Sequence, residues 1–203
     1  MTLPLRRVMI IGSSGSGKST LARLLGEILN LPVYHMDRDV YWRPGWAKRP
    51  RGDRIRQVER IVARDAWVFE GSNSNTYNVR AARADMLIWL DIALMLRLLR
   101  VIRRSVGGRG WTRPDMADDC PERLDRLPGF LWFILSTHRG SRLRARAFYE
   151  TVSLPKHRFA SAREAKRFLE TLNERNRRKV AVVGSPDHPP RSPRRRLRPG
   201  GLD

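Results

Sequence analysis

Nine consecutive residues, Gly12-Ser13-Ser14-Gly15-Ser16-Gly17-Lys18-Ser19-Thr20, carry the full G-x-x-x-x-G-K-[ST] spacing of a loop that cradles a triphosphate. The chemistry dictates the residue types. Phosphate oxygens must come close to backbone N–H groups, and Gly12, Gly15 and Gly17 keep that approach open in backbone angles denied to other residues. The free amides at the start of the next helix, with its dipole, then hold the anionic β-phosphate. Lys18 reaches the β- and γ-phosphates, and the Ser19 hydroxyl ligates Mg²⁺. ATP and Mg²⁺ are therefore the expected cofactors.

Such a cradle works only between a strand and a helix. Val8-Met9-Ile10-Ile11 precedes it, an apolar run suited to a strand buried on both faces of a parallel sheet. Leu21, Leu24, Leu25 and Ile28 follow at helical spacing. The alternation continues. Val33 to Met36 reads as a second strand ending at Asp37, and Asp53 to Asp65 as a helix. Trp67-Val68-Phe69 is a third strand ending at Glu70-Gly71. A short helix from Asn78 to Ala84 leads to a fourth strand, Met86 to Leu90, ending at Asp91. A helix from Ile92 carries Arg97, Arg100, Arg103 and Arg104, and Ser105 to Leu127 is a polar, Gly- and Pro-containing excursion of a length that is usually either functional or disordered. A helix follows from Gly129 to Tyr149. The last strand is either Thr151 to Leu154 or His157 to Phe159, and Ser161 to Glu164 spells a capping box opening a helix to about Leu172. This is the pattern of an α/β fold with right-handed crossovers. Beyond Asn173 the chain changes character, and Pro, Arg and Gly dominate Pro186 to Gly200, so residues 173–203 read as a basic, largely disordered tail on a domain spanning 1–172.

Position alone marks further candidates. Asp37 lies just past a strand's carboxyl end, the edge where α/β sheets bind ligands. There it orients an acceptor hydroxyl or phosphate, or holds Mg²⁺ through water; otherwise it caps a helix or solvates a loop. Asp39 is too near to be separated from it. Asp91 is either a Walker-B aspartate or a helix N-cap. Arg100 and Arg104 lie four apart on one helix face, and Arg109 and Arg113 fall in the 105–127 excursion. For any one arginine in so basic a chain, solvated surface is the alternative. Trp42 and Trp46 either wall a ring or pack the neighbouring subdomain. Cys120, His35 and His138 lack a zinc spacing.

The chain resembles small kinases of the adenylate/shikimate-kinase type. More narrowly, it is similar to the bacterial DNA topology-modulation proteins, adenylate-kinase-related P-loop proteins. The matching pieces are Gly12 to Thr20, His35-Met36-Asp37 with Tyr41-Trp42 and Pro44-Gly45-Trp46, Glu70-Gly71-Ser72-Asn73, and Thr112 to Ala117 followed by Cys120-Pro121-Glu122. The resemblance covers about residues 6 to 172. It implies a three-layer P-loop fold with a five-stranded parallel sheet ordered 2-3-1-4-5 and a lid at about 105–127. It also implies a nucleotide kinase in which Glu70 orients Mg²⁺-bound water. By the same resemblance, one of Arg100 and Arg104 stacks on adenine and the other meets phosphate. Arg109 and Arg113 close over the phosphates, and Arg139 or Arg142 adds a second clamp. Arg80 meets the acceptor's phosphate, although the family's earlier arginine stands here as Asn75. Asp37 also resembles the acceptor aspartate of shikimate-type kinases.

Composition bounds the rest. The 203 residues are 41% hydrophobic, enough for one core, and the single cysteine excludes an internal disulfide and fits a reducing cytoplasm. Met1 to Arg7 is too short an apolar run for a secretory signal, and no membrane-spanning stretch is expected. The net charge of +21 comes from 36 arginines and only 5 lysines against 20 acidic residues. It favours non-specific polyanion binding at low salt without identifying a partner. The expected activity is transfer of the γ-phosphoryl of Mg·ATP to a small acceptor, a nucleoside monophosphate in the first instance. The alternatives are a shikimate-type hydroxy compound, or an ATP-binding protein associated with nucleic acid through its basic surface and tail.

Overall fold

The computed structural model describes residues 5–183. Five strands form one sheet: β1 (Arg7–Gly12), β2 (Val33–His35), β3 (Trp67–Glu70), β4 (Met86–Leu90) and β5 (Lys156–Phe159). All pairings are parallel, in the spatial order β2-β3-β1-β4-β5, the 2-3-1-4-5 arrangement implied by the resemblance. Six helices connect and flank them: α1 (Lys18–Leu29), α2 (Arg51–Val62), α3 (Tyr77–Ala81), α4 (Leu94–Gly107), α5 (Leu127–Thr151) and α6 (Ala162–Val183).

Side chains along a strand alternate between faces, and here both faces are covered. Met9, Ile11, Trp67, Phe69, Leu87 and Trp89 pack with Val58, Ile61 and Val62 of α2 and with Ala145 of α5. The alternate residues Val8, Ile10, Val68, Ile88 and Leu90 pack with Leu21 and Leu25 of α1 and with Ala165 and Leu169 of α6. That is why the strands read as unbroken apolar runs. The register sets Ile10 opposite both Glu70 and Ile88, so the ends of β1, β3 and β4 meet at one edge of the sheet.

Several expected boundaries shift. β2 stops at His35, because Asp39 Oδ2 accepts the His35 amide at 2.6 Å and turns the chain into a wide helical loop, Met36–Tyr41. Asp37 therefore sits on that loop's first turn. Trp42–Arg43 and Ala47–Lys48 then pair as a small antiparallel hairpin. Of the two candidates for the last strand, Lys156–Phe159 is the one used. Ser161 Oγ accepts from the Glu164 amide at 3.2 Å, and Glu164 Oε2 accepts from the Ala160 amide at 2.9 Å, so the capping box forms one residue wide of its usual return contact.

The break expected at Leu172 is corrected. α6 continues to Val183, because Glu174 to Arg178 are helix-compatible residues with no Gly or Pro among them, and Asn176 Nδ2 donates to the Ile28 carbonyl at 2.7 Å. The rest of the expected tail lies outside the described residues. Among the described residues no helix is long and apolar enough to cross a membrane.

Candidate functional site

At the carboxyl edge of the sheet, residues 13–17 wrap from β1 into α1. Gly17 opens the helix at φ 95°, and a Cβ there would meet nothing nearer than Arg100 Nη1 at 3.9 Å, so the mouth of the loop faces open space. Gly15, at φ 79°, is held from behind: a Cβ would stand 2.6 Å from the Arg97 carbonyl oxygen. Arg97 is buried in α4, with Nε donating to the Ser14 carbonyl at 2.9 Å and Nη1 lying 3.3 Å from His138 Nδ1. Underneath, the Ser13 carbonyl accepts from the Ser16 amide at 3.1 Å and from Lys18 Nζ at 3.4 Å.

Past this loop the polar floor assembles from three elements. Ser19 Oγ donates to Glu70 Oε1 at 3.1 Å, His35 Nδ1 lies 3.0 Å from the same oxygen, and Lys18 Nζ is 3.9 Å from Oε2. Burial opposes the charge on Glu70, but the His35 hydrogen bond and the Lys18 ammonium outweigh it and hold its pKa below the usual carboxylate range. Asp37 behaves oppositely. It is exposed and lines the cleft, with Glu70, Lys18 and Arg113 as charged neighbours. Desolvation within the cleft, then the Glu70 charge, raises its pKa against the pull of Lys18 and Arg113. The two neighbouring carboxyls are thus shifted in opposite directions, Glu70 down and Asp37 up.

The 105–127 excursion folds over this floor. Arg113 Nη1 holds both oxygens of Asp115, at 3.0 and 2.8 Å. Burial raises the Asp115 pKa, but the Arg113 charge brings it below the usual range. Arg104 and Arg113 both face the cleft, and the Nε of each finds no hydrogen-bond acceptor among the described residues. They stand close to Glu122, Arg113 Nε at 2.7 Å and Arg104 Nε at 3.4 Å, but with their N–H vectors off the line to its oxygens. The cleft holds about 880 Å³, with Lys18, Ser19, Asp37 and Glu70 at its floor and Arg100 and Phe130 on its walls. A neighbouring cavity of about 360 Å³ shares Asn73 with it and is lined by Arg51, Arg54 and Asn75.

Other expectations fail. Arg80 does not reach the cleft: it is fully buried, donates Nη2 to the Gly71 carbonyl at 2.9 Å, and lies over the rings of Phe69 and Tyr77 at 5.2 and 5.5 Å. The short α3 turns it inward against β3, and burial pushes its pKa down to about 10. Asp91 neither caps α4, whose N-cap is Ala93, nor joins the polar floor. Arg142 holds its two oxygens at 2.8 and 2.9 Å, and Arg158 holds Oδ2 at 2.6 Å. Arg142 is thereby engaged away from the cleft, while Arg109 and Arg139 are exposed and do not line it. Trp42 and Trp46 do both things asked of them, lining the cleft and packing on Met116, Ala117 and Cys120. His35, Asp115, Glu122 and Arg97 belong to the site although spacing gave them no such role. The two-residue interval from Arg113 to Asp115 was the one local hint.

No protein-family model matches the chain. Among curated proteins, a shikimate kinase from Sulfurihydrogenibium sp. (strain YO3AOP1) is 27% identical over 106 residues, a match spanning 44% of this chain and 63% of that protein. The chain thus spans under two thirds of that relative's length. Among solved structures, a shikimate kinase from Bacteroides thetaiotaomicron superposes with a TM-score of 0.51 at 13% identity, covering 87% of this chain and 99% of that one. A gluconokinase from Sinorhizobium meliloti 1021 gives 0.48 at 16% identity, covering 91% and 100%. The first of these superpositions shows the fold, an α/β arrangement with a five-stranded parallel sheet like that of the Bacteroides shikimate kinase structure. The narrower likeness to topology-modulation proteins rests on sequence motifs alone.

Proposed function

We propose that this protein is a phosphotransferase that moves the γ-phosphoryl of Mg·ATP to a hydroxyl of a small acceptor. The observation that carries the reading is the convergence of Lys18, Ser19, Glu70 and Asp37 on one floor, with Arg104 and Arg113 lining the same cleft. A terminal phosphate in that cleft would meet cationic groups, whose charge-assisted hydrogen bonds to phosphate are among the strong ones.

The residues fit a magnesium nucleotide. Gly17 leaves the cradle open, and Ser19 with Glu70 would hold Mg²⁺, whose bound charge neutralises the β- and γ-oxygens. Among the described residues no three of His, Cys, Asp and Glu are grouped to ligate a metal directly, which agrees with an ion that keeps several waters. The acceptor oxygen attacks the γ-phosphorus while its proton passes to Asp37. The bond to the β-bridging oxygen breaks, and ADP leaves with that electron pair. Lys18 and the cleft arginines stabilise the moving charge, and the lid excludes water.

For the acceptor, two observations favour a small anionic hydroxy compound of the shikimate class over a nucleoside monophosphate. Arg80, the residue expected to receive a monophosphate, is sealed behind Gly71. Arg51 and Arg54 instead line the adjoining cavity of about 360 Å³, suited to an acceptor's anionic group. The curated relative bears the shikimate kinase name. The test is ADP formation from Mg·ATP with shikimate, related hydroxy acids and nucleoside monophosphates, using wild type and Lys18→Ala. Turnover that needs one acceptor class and vanishes with the lysine supports the proposal. Hydrolysis indifferent to every acceptor points to a plain ATPase, and DNA binding without transfer points to the nucleic-acid alternative.

A further inference from the structure

Glu122 has no part in the transfer just described, yet it is built into the cleft. Its side chain is 13% exposed. Oε2 accepts from Ser105 Oγ at 3.1 Å, while Oε1 lies 2.7 Å from Arg113 Nε and 3.4 Å from Arg104 Nε. The main chain of the same residue closes the lid, its amide donating to the Trp111 carbonyl at 3.0 Å and its carbonyl accepting from Gly110 at 3.0 Å. Glu122 thus ties the end of α4, the start of the lid and its return strand to one point.

The contacts with the arginines have an unusual character. They are close enough to offset charge, but neither Nε–H is aligned on an acceptor among the described residues. Arg104 and Arg113 are like charges side by side in a partly desolvated space. Burial and then the Arg113 charge both depress the pKa of Arg104, and Glu122 acts against them. Without the carboxylate, the two guanidinium groups repel and lose their common anchor. With it, both stay together and both line the cleft.

We infer that Glu122 is a positioning residue that holds Arg104 and Arg113 as a pair over the cleft, so that the two guanidinium groups together meet the terminal phosphate of a bound triphosphate. The identity of that ligand rests on the phosphotransferase reading. A carboxylate that only braced the lid would affect stability without affecting the discrimination between a triphosphate and a diphosphate.

The experiment is calorimetric titration with the magnesium complexes of ADP and of a β,γ-imido ATP analogue, on wild type, Glu122→Gln and Glu122→Asp. Glutamine keeps the shape and the Ser105 contact but loses the charge. The preference of wild type for the triphosphate analogue is expected to fall about tenfold in Glu122→Gln, the order expected for one charge-assisted hydrogen bond. The affinity for ADP should change by less than about threefold, and Glu122→Asp should recover part of the preference. An unchanged preference in folded Glu122→Gln, or an equal loss for both nucleotides, overturns the assignment. Acceptor-dependent ADP formation by wild type is scored separately. A lost preference in a protein that transfers nothing supports Glu122 and defeats the kinase reading. An unchanged preference in a protein that transfers defeats Glu122 alone, and wild type that binds neither nucleotide defeats both.

Discussion

Ser19 and Glu70 share a hydrogen bond of 3.1 Å across the join between the first helix and the third strand. Because Ile10 pairs with Glu70 in the sheet, the carboxylate is delivered to the phosphate loop by strand register, with no loop of its own to adjust. His35 Nδ1, 3.0 Å from the same oxygen, closes the other side. A carboxylate so fixed is preorganised for a hydrated cation.

Glu70→Gln keeps the volume and removes the charge. Turnover is expected to fall roughly a hundredfold, the scale of losing one preorganised electrostatic contact, and the Mg²⁺ concentration needed for half-maximal rate should rise. Glu70→Asp should lie between the two. A magnesium titration of ADP formation decides it, and a titration curve superimposable on wild type removes Glu70 from metal handling.

Arg80 gives the reverse expectation. It is fully buried, and its Nε and Nη1 have no partner among the described residues, so a well-packed apolar replacement removes a desolvated charge at little cost. Arg80→Met should unfold in urea within about 1 kcal/mol of wild type, whereas Arg80→Ala, which leaves a cavity, should lose about 3 kcal/mol. Neither should change the KM for the acceptor. A tenfold rise in that KM for folded Arg80→Met would return Arg80 to the substrate site.

Those two residues show what was legible in the chain. Glu70 could be found because it ends an apolar run beside Gly71, and runs apolar on both faces marked a parallel sheet, whose strand order came only from the resemblance. Arg80 lies in a helix of five residues, too short for spacing to reveal which face turns inward. Asp91 was misread for a different reason: its partners Arg142 and Arg158 lie 51 and 67 positions away, and nothing local distinguishes them from the chain's other arginines. His35 and Glu122 were likewise hidden, since their roles come from contacts that only the assembled sheet and lid create. The end of α6 was missed because a basic, polar stretch reads alike as tail or as exposed helix.

Asn176 tests that last point. Its side chain donates to the Ile28 carbonyl at 2.7 Å, in the final turn of α1 where carbonyls lack helical partners. Asn176→Ala should destabilise the protein by about 1 kcal/mol in urea unfolding, the net worth of one such bond. A chain ending at Leu172 should lose at least as much. Equal midpoints for all three proteins would show that the last turns of α6 contribute nothing to the domain.

Asp91 sets an acid limit on stability. Its side chain is 5% exposed, and burial alone would raise its pKa; the hydrogen bonds from Arg142 and then Arg158 more than offset this and leave it below the usual range. A carboxyl with a depressed folded pKa binds its proton more readily when unfolded. It therefore contributes its full stability above the unfolded value, near pH 4, and loses it as pH falls through the lower folded value. The arginines are about half exposed, at 53% and 45%, so solvent screens the pairs and the effect is modest. Asp91→Asn should be less stable than wild type at neutral pH by an amount that holds steady down to about pH 4 and then shrinks. Urea midpoints of the two proteins measured from pH 7 to pH 3 give that difference directly. A gap that widens toward acid would mean that the carboxylate is not the species the two arginines hold.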